Sequence, residues 1–217
     1  RTWNYPETFN DRTGLHKNHH GQIKNDKYNN MGTELLMAIC VGLRLNLRIV
    51  EKIFDKSDNK LNYYLDIAET VLARGTCLRR NFGAIIVKND QIISTGYVGA
   101  PRGRENCCDL GYCTREKLQI PRGERYELCR SVHAEANAII SASRMDMLGS
   151  TLFLVGREVQ TGEYVQGANP CAMCKRMIIN AGIETVVIRD DKEHFRVYNV
   201  HNQYILQDES LEETRGY

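Results

Sequence analysis

Between residues 32 and 54 the apolar positions Leu35, Leu36, Ile39, Leu43, Leu47, Val50 and Ile53 recur at helical spacing and predict an amphipathic helix. Ser57-Asp58-Asn59 is a run of capping residues, so a break is expected there. A second amphipathic helix follows over 60–73, stopped by Gly75. The period then shortens. Ala84-Ile85-Ile86-Val87 and Gln91-Ile92-Ile93-Ser94-Thr95 predict two strands joined by a turn at Asn89-Asp90. Residues 97–130 carry Pro101, Gly103, Gly111, Pro121 and Gly123 without sustained periodicity. So long an irregular stretch is uncommon unless it is functional or pinned. Beyond it the patterns alternate: a helix over 134–145, a strand over 151–155, a turn at Thr161-Gly162, a helix over 171–181 ended by Gly182, and a strand over 184–188. Such alternation predicts an α/β layered sheet. Residues 1–30 are polar, rich in Asn and His, and show little periodicity.

With 217 residues and 42% hydrophobic content, the chain can bury a sizeable core. One globular domain over 58–217 is expected, with an N-terminal helical extension over 1–57 to which the sequence gives no role. A formal charge of +2 requires neither a nucleic-acid nor a membrane partner. The most apolar stretch, 39–47, is interrupted by Arg44 and Asn46, so no membrane span is expected. No signal-peptide pattern is present, and the expected compartment is cytoplasmic. The chain begins at Arg1, so residues upstream are an expectation as well. In that compartment eight cysteines point to metal binding or packing before disulfides. Cys40, alone in an apolar run, is expected to be a buried small hydrophobe.

The chemistry lies in two segments, His133-Ala134-Glu135 and Pro170-Cys171-Ala172-Met173-Cys174. His133, Cys171 and Cys174 suit a single zinc ion, and three protein ligands leave the fourth tetrahedral position open for water. Glu135 is free to move protons beside that water. Each segment falls where a helix is predicted to begin, and the i, i+3 spacing sets both sulfurs on one helix face. Helix N-termini also favour thiolates. A lone His-x-Glu means little, but Pro-Cys-x-x-Cys would turn up in a shuffle of this composition only about once in two hundred tries. A closed structural zinc would have no use for Glu135. The alternative to catalysis is therefore the weaker reading.

These segments resemble the signature of zinc-dependent nucleobase deaminases. The chain is most similar to the deoxycytidylate (dCMP) deaminases of the cytidine deaminase-like superfamily, from about Tyr63 to Arg189. Besides the zinc segments, the resemblance rests on Arg80-Asn81-Phe82-Gly83-Ala84-Ile85-Ile86-Val87, Gly96-Tyr97-Val98-Gly99-Ala100-Pro101-Arg102-Gly103, Ser131 to Ile139, and Asn180-Ala181-Gly182-Ile183. It implies a three-layer α/β/α fold around a five-stranded mixed sheet. It also implies conversion of dCMP to dUMP and ammonia, a homo-oligomer, and in many members regulation by deoxynucleoside triphosphates. Where the family loop reads Gly-Tyr-Asn-Gly this chain has Val98, whose side chain offers no hydrogen bond. Altered substrate or effector recognition is expected from that change.

Candidate substrate contacts are Tyr97, Val98, Ala134, Arg80, Arg102 and Arg130. Arg79 and Arg104 also flank the site as possible phosphate ligands, and Tyr126 as a stacking ring, although any one of these arginines is more often a solvated surface charge. Four of Cys77, Cys107, Cys108, Cys113 and Cys129 would make a closed thiolate zinc site pinning the 97–130 stretch. The resemblance implies a second, structural zinc in this region, and the alternative is reduced, buried thiols. Four functions remain to be weighed. The leading one is deamination of dCMP, and a close variant acts on dCTP or a nucleoside. A nucleic-acid editing deaminase would need a basic groove and exposed aromatics that a near-neutral chain does not suggest. A non-catalytic, effector-binding relative would not need Glu135.

Overall fold

The computed structural model describes residues 47–121 and 124–207, with side chains from residue 60 onward. The polar stretch 1–30 and most of the helix expected over 32–54 lie outside these residues, as does Cys40. The chain divides into two compact units, Arg1–Leu61 and Asn62–Tyr217. What is described of the first is helical backbone, the opening part of helix α1 (Leu47–Leu72). The break expected at Ser57-Asp58-Asn59 does not occur, and α1 runs straight through it. Capping residues favour a helix start but do not forbid continuation, since Ser, Asp and Asn each cost only about 0.7 kcal/mol or less inside a helix.

The second unit is built on strands β1 (Arg80–Lys88), β2 (Gln91–Tyr97), β3 (Thr151–Glu158), β4 (Thr185–Arg189) and β5 (Phe195–Asn199), in the order β2-β1-β3-β4-β5. The β3–β4 pair is parallel and the other pairs are antiparallel, so the sheet is mixed. Asn89 and Asp90 make the β1–β2 turn with φ of 49° and 62°, the left-handed backbone that a tight hairpin needs. Between β2 and β3 come α2 (Cys107–Leu110), α3 (Thr114–Lys117), a 3₁₀ turn (Tyr126–Leu128), α4 (Ala134–Ile140) and α5 (Arg144–Met147). Helix α6 (Ala172–Ala181) joins β3 to β4.

Helices cover both faces of the sheet. Leu65 and Ala68 of α1 are fully buried, and Tyr64 packs its ring 5.1 Å from that of Phe153. A Cβ on Gly83 would overlap the backbone of Ala68 and Leu72, so glycine lets α1 lie directly on β1. On the opposite face Ala84, Ile86, Leu152, Leu154, Val186 and Ile188 form one core with Ala134 and Ala138 of α4 and Ile178 of α6. The result is the three-layer α/β/α fold expected from the resemblance.

Three elements depart from expectation. The helix predicted over 134–145 is two helices, because Ser143 caps α5 by accepting from the Asp146 amide at 3.2 Å. Strand β5 and the π-helix His201–Ile205 were not foreseen. The stretch 97–130 is not structureless, since it holds two single-turn helices and the 3₁₀ turn. No helix among the described residues is long and apolar enough to cross a membrane.

Candidate active site

The start of β1 and the ends of β2 and β3 meet at one edge of the sheet, where Arg80 pairs with Glu158 and Gly83 with Tyr97. Helices α4 and α6 both begin there. Helix α4 is held on the sheet at three points. Gly96 of β2 has no room for a Cβ against the backbone of Ala134 and Ala138. The Ser94 hydroxyl donates to the Ala138 carbonyl at 2.8 Å, and the Asn137 amide donates to the Tyr97 carbonyl at 2.8 Å. His133 occupies the cap position before α4 in extended backbone (φ −69°, ψ 153°), and Cys171 does the same before α6 (φ −66°, ψ 166°). Cys174 lies in the first turn of α6.

The two helix starts bring the three metal-ligand candidates together. His133 Nδ1 lies 3.4 Å from Cys171 Sγ and 3.5 Å from Cys174 Sγ, and all three ligand atoms are within 4.8 Å of one another. A tetrahedral zinc with bonds of about 2.3 Å to sulfur and about 2.05 Å to nitrogen has sulfur–nitrogen edges of about 3.6 Å. The donor set and its spacing fit the ion. The Cys174 thiol, hydrogen-bonded to Cys171, lowers the Cys171 pKa to about 4, and the same contact pushes Cys174 up. Burial opposes protonation of His133, but the Cys171 sulfur and the Glu135 carboxylate outweigh it and raise its pKa.

Glu135, the second residue of α4, is 5% exposed. Burial pushes its carboxyl pKa up against the opposing charge of His133, and it shares a hydrogen bond with Cys174. His133, Glu135 and Cys171 line a cavity of about 270 Å³. Ala134 and Val98 also line it. Val98 is 6% exposed, and its backbone is used on both sides, by Phe82 and Thr76, so only its apolar side chain faces the cavity.

The arginine candidates separate. Arg80 lines the cavity and pairs with Glu158 at 2.7 Å, and Arg79 lines it and pairs with Glu116 at 3.2 Å. Arg102 and Arg104 are exposed and do not line it. Arg130 is outside the lining as well, with its Nε donating to the Glu105 carbonyl at 2.5 Å. Tyr97 contributes backbone to the α4 anchor, and its side chain does not line the cavity. Tyr126 does, with its ring edge-on to His133 at 5.1 Å.

Of the five middle cysteines, Cys77, Cys113 and Cys129 line the same cavity. Cys107 is buried with Sγ 3.7 Å from the Ser131 hydroxyl, whereas Cys108 is exposed and turned to Asp109. Burial raises the thiol pKa of both Cys107 and Cys129. Among the described residues, the group with every ligand atom within 4.8 Å is His133, Cys171 and Cys174.

Sequence reasoning missed Arg115, Phe82, Val165, Gly167, Ala168 and Asn169, all in the cavity wall. The last three stand directly before Pro170-Cys171, and that adjacency was the available signal. Arg115 gave none. The ends of the insertion meet at a two-hydrogen-bond bridge between Gly99 and Val132, at 3.2 Å and 2.8 Å. The insertion therefore leaves the sheet and returns to it immediately ahead of His133.

The family model of the cytidine and deoxycytidylate deaminase zinc-binding region matches residues 58–190. The deoxycytidylate deaminase of Mycobacterium phage D29 is 37% identical over 130 residues, which cover 58% of this chain and 90% of that protein. That of Saccharomyces cerevisiae is 30% identical over 158 residues, covering 71% of this chain and 46% of that protein. The chain thus spans nearly all of the phage relative and less than half of the yeast one. Among solved structures, the apo dCMP deaminase of cyanophage S-TIM5 aligns at 28% identity and a TM-score of 0.42, covering 61% of this chain and 84% of that one. The family match takes in both zinc-ligand segments and more than half of the chain, and the protein belongs to the cytidine and deoxycytidylate deaminase family.

Proposed function

We propose that the protein hydrolytically deaminates dCMP, giving dUMP and ammonia. The observation that carries this is the gathering of His133, Cys171 and Cys174 at zinc-ligand spacing with Glu135 buried beside them. Zinc held by these residues supplies a nucleophilic water at neutral pH. Glu135 takes a proton from the attacking water and passes it to the pyrimidine ring nitrogen, then takes the remaining hydroxyl proton from the adduct and delivers it to the amine, which leaves as ammonia. Ala134 and Val98 pack against the nucleoside, and Arg80 lies on the same wall. The relatives named deoxycytidylate deaminase support dCMP as the substrate. Val98, with no hydrogen bond to give in the cavity wall, keeps dCTP and deoxycytidine in the test.

Four further assignments belong to this reading. A second, structural zinc is held by Cys77, Cys107, Cys113 and Cys129, with the exposed Cys108 left out. Residues 58–217 form the deaminase domain, with 1–57 as an extension. The protein associates with copies of itself, which the exposed apolar side chains Ile140, Met145 and Met173 support. Deoxynucleoside triphosphates regulate it.

The test is ammonia release from dCMP, dCTP, CMP and deoxycytidine, with and without added dCTP and dTTP, alongside metal analysis of the purified chain. The fastest turnover is expected with dCMP, and two zinc ions per chain. Silence on the whole panel would sink the function, and a single zinc would remove the second site.

A further inference from the structure

Arg115 is the second residue of α3, between neighbours half-buried or exposed, yet its own side chain is 6% exposed and lines the catalytic cavity. Its Nη2 donates to two backbone carbonyls, Pro121 at 2.8 Å and Glu124 at 2.5 Å. Its guanidinium carbon sits 4.6 Å above the Tyr126 ring, the ring that meets His133 edge-on. Nε is buried with no hydrogen-bond partner among the described residues. The other two arginines of the cavity, Arg79 and Arg80, are each neutralised by a glutamate. Arg115 has no ion pair among the described residues.

The Glu127 carboxylate feels Arg115 at longer range but is exposed and paired with Arg125, so a cation buried here remains costly and a bound anion would offset that cost. The fixed fork of a guanidinium suits phosphate oxygens, and stacking on Tyr126 holds its plane in place. We infer that Arg115 binds the 5′-phosphate of the nucleotide substrate and is the residue that selects a nucleotide over a nucleoside. This assignment rests on the deaminase reading above and adds the phosphate end to it. The base meets the wall that carries His133 and Glu135, and the phosphate meets the wall that the insertion contributes. A purely structural role, holding the Pro121 and Glu124 carbonyls, would leave discrimination between dCMP and deoxycytidine untouched.

The experiment compares kcat/KM for dCMP and for deoxycytidine in wild type, Arg115→Gln and Arg115→Lys. The ratio of the two values is expected to fall about 100-fold in Arg115→Gln, the scale of a lost charge-assisted contact, and by less in Arg115→Lys. Both substrates are read on one sample, so a loss of folded protein lowers both rates and leaves the ratio unchanged. A second measurement needs no variant: dUMP should inhibit the wild-type reaction about 100-fold more tightly than deoxyuridine does. An active protein whose ratio is the same in all three forms, or which dUMP and deoxyuridine inhibit equally, overturns the Arg115 assignment alone. A wild-type protein inactive on every cytosine compound overturns the deaminase reading with it.

Discussion

The role proposed for Glu135 rests on its position. It follows a cap residue that is itself a metal-ligand candidate, and burial leaves its carboxylate facing the cavity and Cys174 rather than bulk water. Glu135→Gln keeps the shape and removes the proton carrier. It is expected to retain its zinc content and lose at least about 100-fold in kcat, measured as ammonia release beside metal analysis. Turnover near wild type would take the proton-carrying role away from this residue. His133, Glu135, Cys171 and Cys174 were legible in the sequence because ligand chemistry demands particular residue types at particular spacings. Arg115 was not, because nothing in Thr114-Arg115-Glu116-Lys117 distinguishes a buried arginine from its exposed neighbours. Only the placement of Cys113, Arg115, Tyr126 and Cys129 in the cavity wall does that. The same limit explains why Arg102 and Arg130 looked as promising as Arg80.

At the scale of elements, α4 is seven residues long, far too short to persist by itself, so packing on the sheet must hold it. Gly96 is the closest point of that packing. Gly96→Ala forces a methyl group into the α4 backbone and is expected to cost about 2 kcal/mol or more of stability, read by urea denaturation. Deamination should fall further than the folded fraction does, since the same shift moves Glu135. Strands β1, β2 and β4 were legible as apolar runs, and Gly182 as a helix stop. Strand β5 was hidden because Phe195-Arg196-Val197-Tyr198-Asn199 is half-exposed at the sheet edge and lacks a continuous apolar run. Ser143 was passed over because the apolar residues on either side of it fit one helical period.

Across the unit as a whole, charged side chains tie α1 to the far strands. Arg189, 3% exposed at the end of β4, donates to Asp66 at 2.6 Å and to Glu69 at 3.0 Å. Glu69 is also paired with Arg157 of β3 and accepts from the Tyr164 hydroxyl at 2.9 Å. Burial alone would raise the Glu69 pKa, but the hydrogen bonds from Arg157, Tyr164 and Arg189 bring it below the ordinary glutamate value. A depressed folded pKa means that this stabilisation is present above the unfolded value, about 4.3. It is lost as pH falls through the folded value. Glu69→Gln should therefore lower stability at pH 7 by about 1 kcal/mol. It should also flatten the further decline below pH 4.5, as followed by denaturation across pH. An unchanged acid limb would show that the ion pairs do not contribute.

The bridge between Gly99 and Val132 has a consequence for how such a protein can diverge. Both ends of the insertion are fastened at one place, so the chain between them can lengthen, shorten or change composition without moving the start of α4, provided that Tyr126 keeps its place against the His133 ring. If Arg115 selects the substrate as proposed, reaction and selectivity become separately inheritable traits, one carried by the helix starts and the other by an exchangeable loop. Whoever wishes to redirect this scaffold to another pyrimidine has a natural cassette to swap, residues 100–131, with cut points already joined by hydrogen bonds.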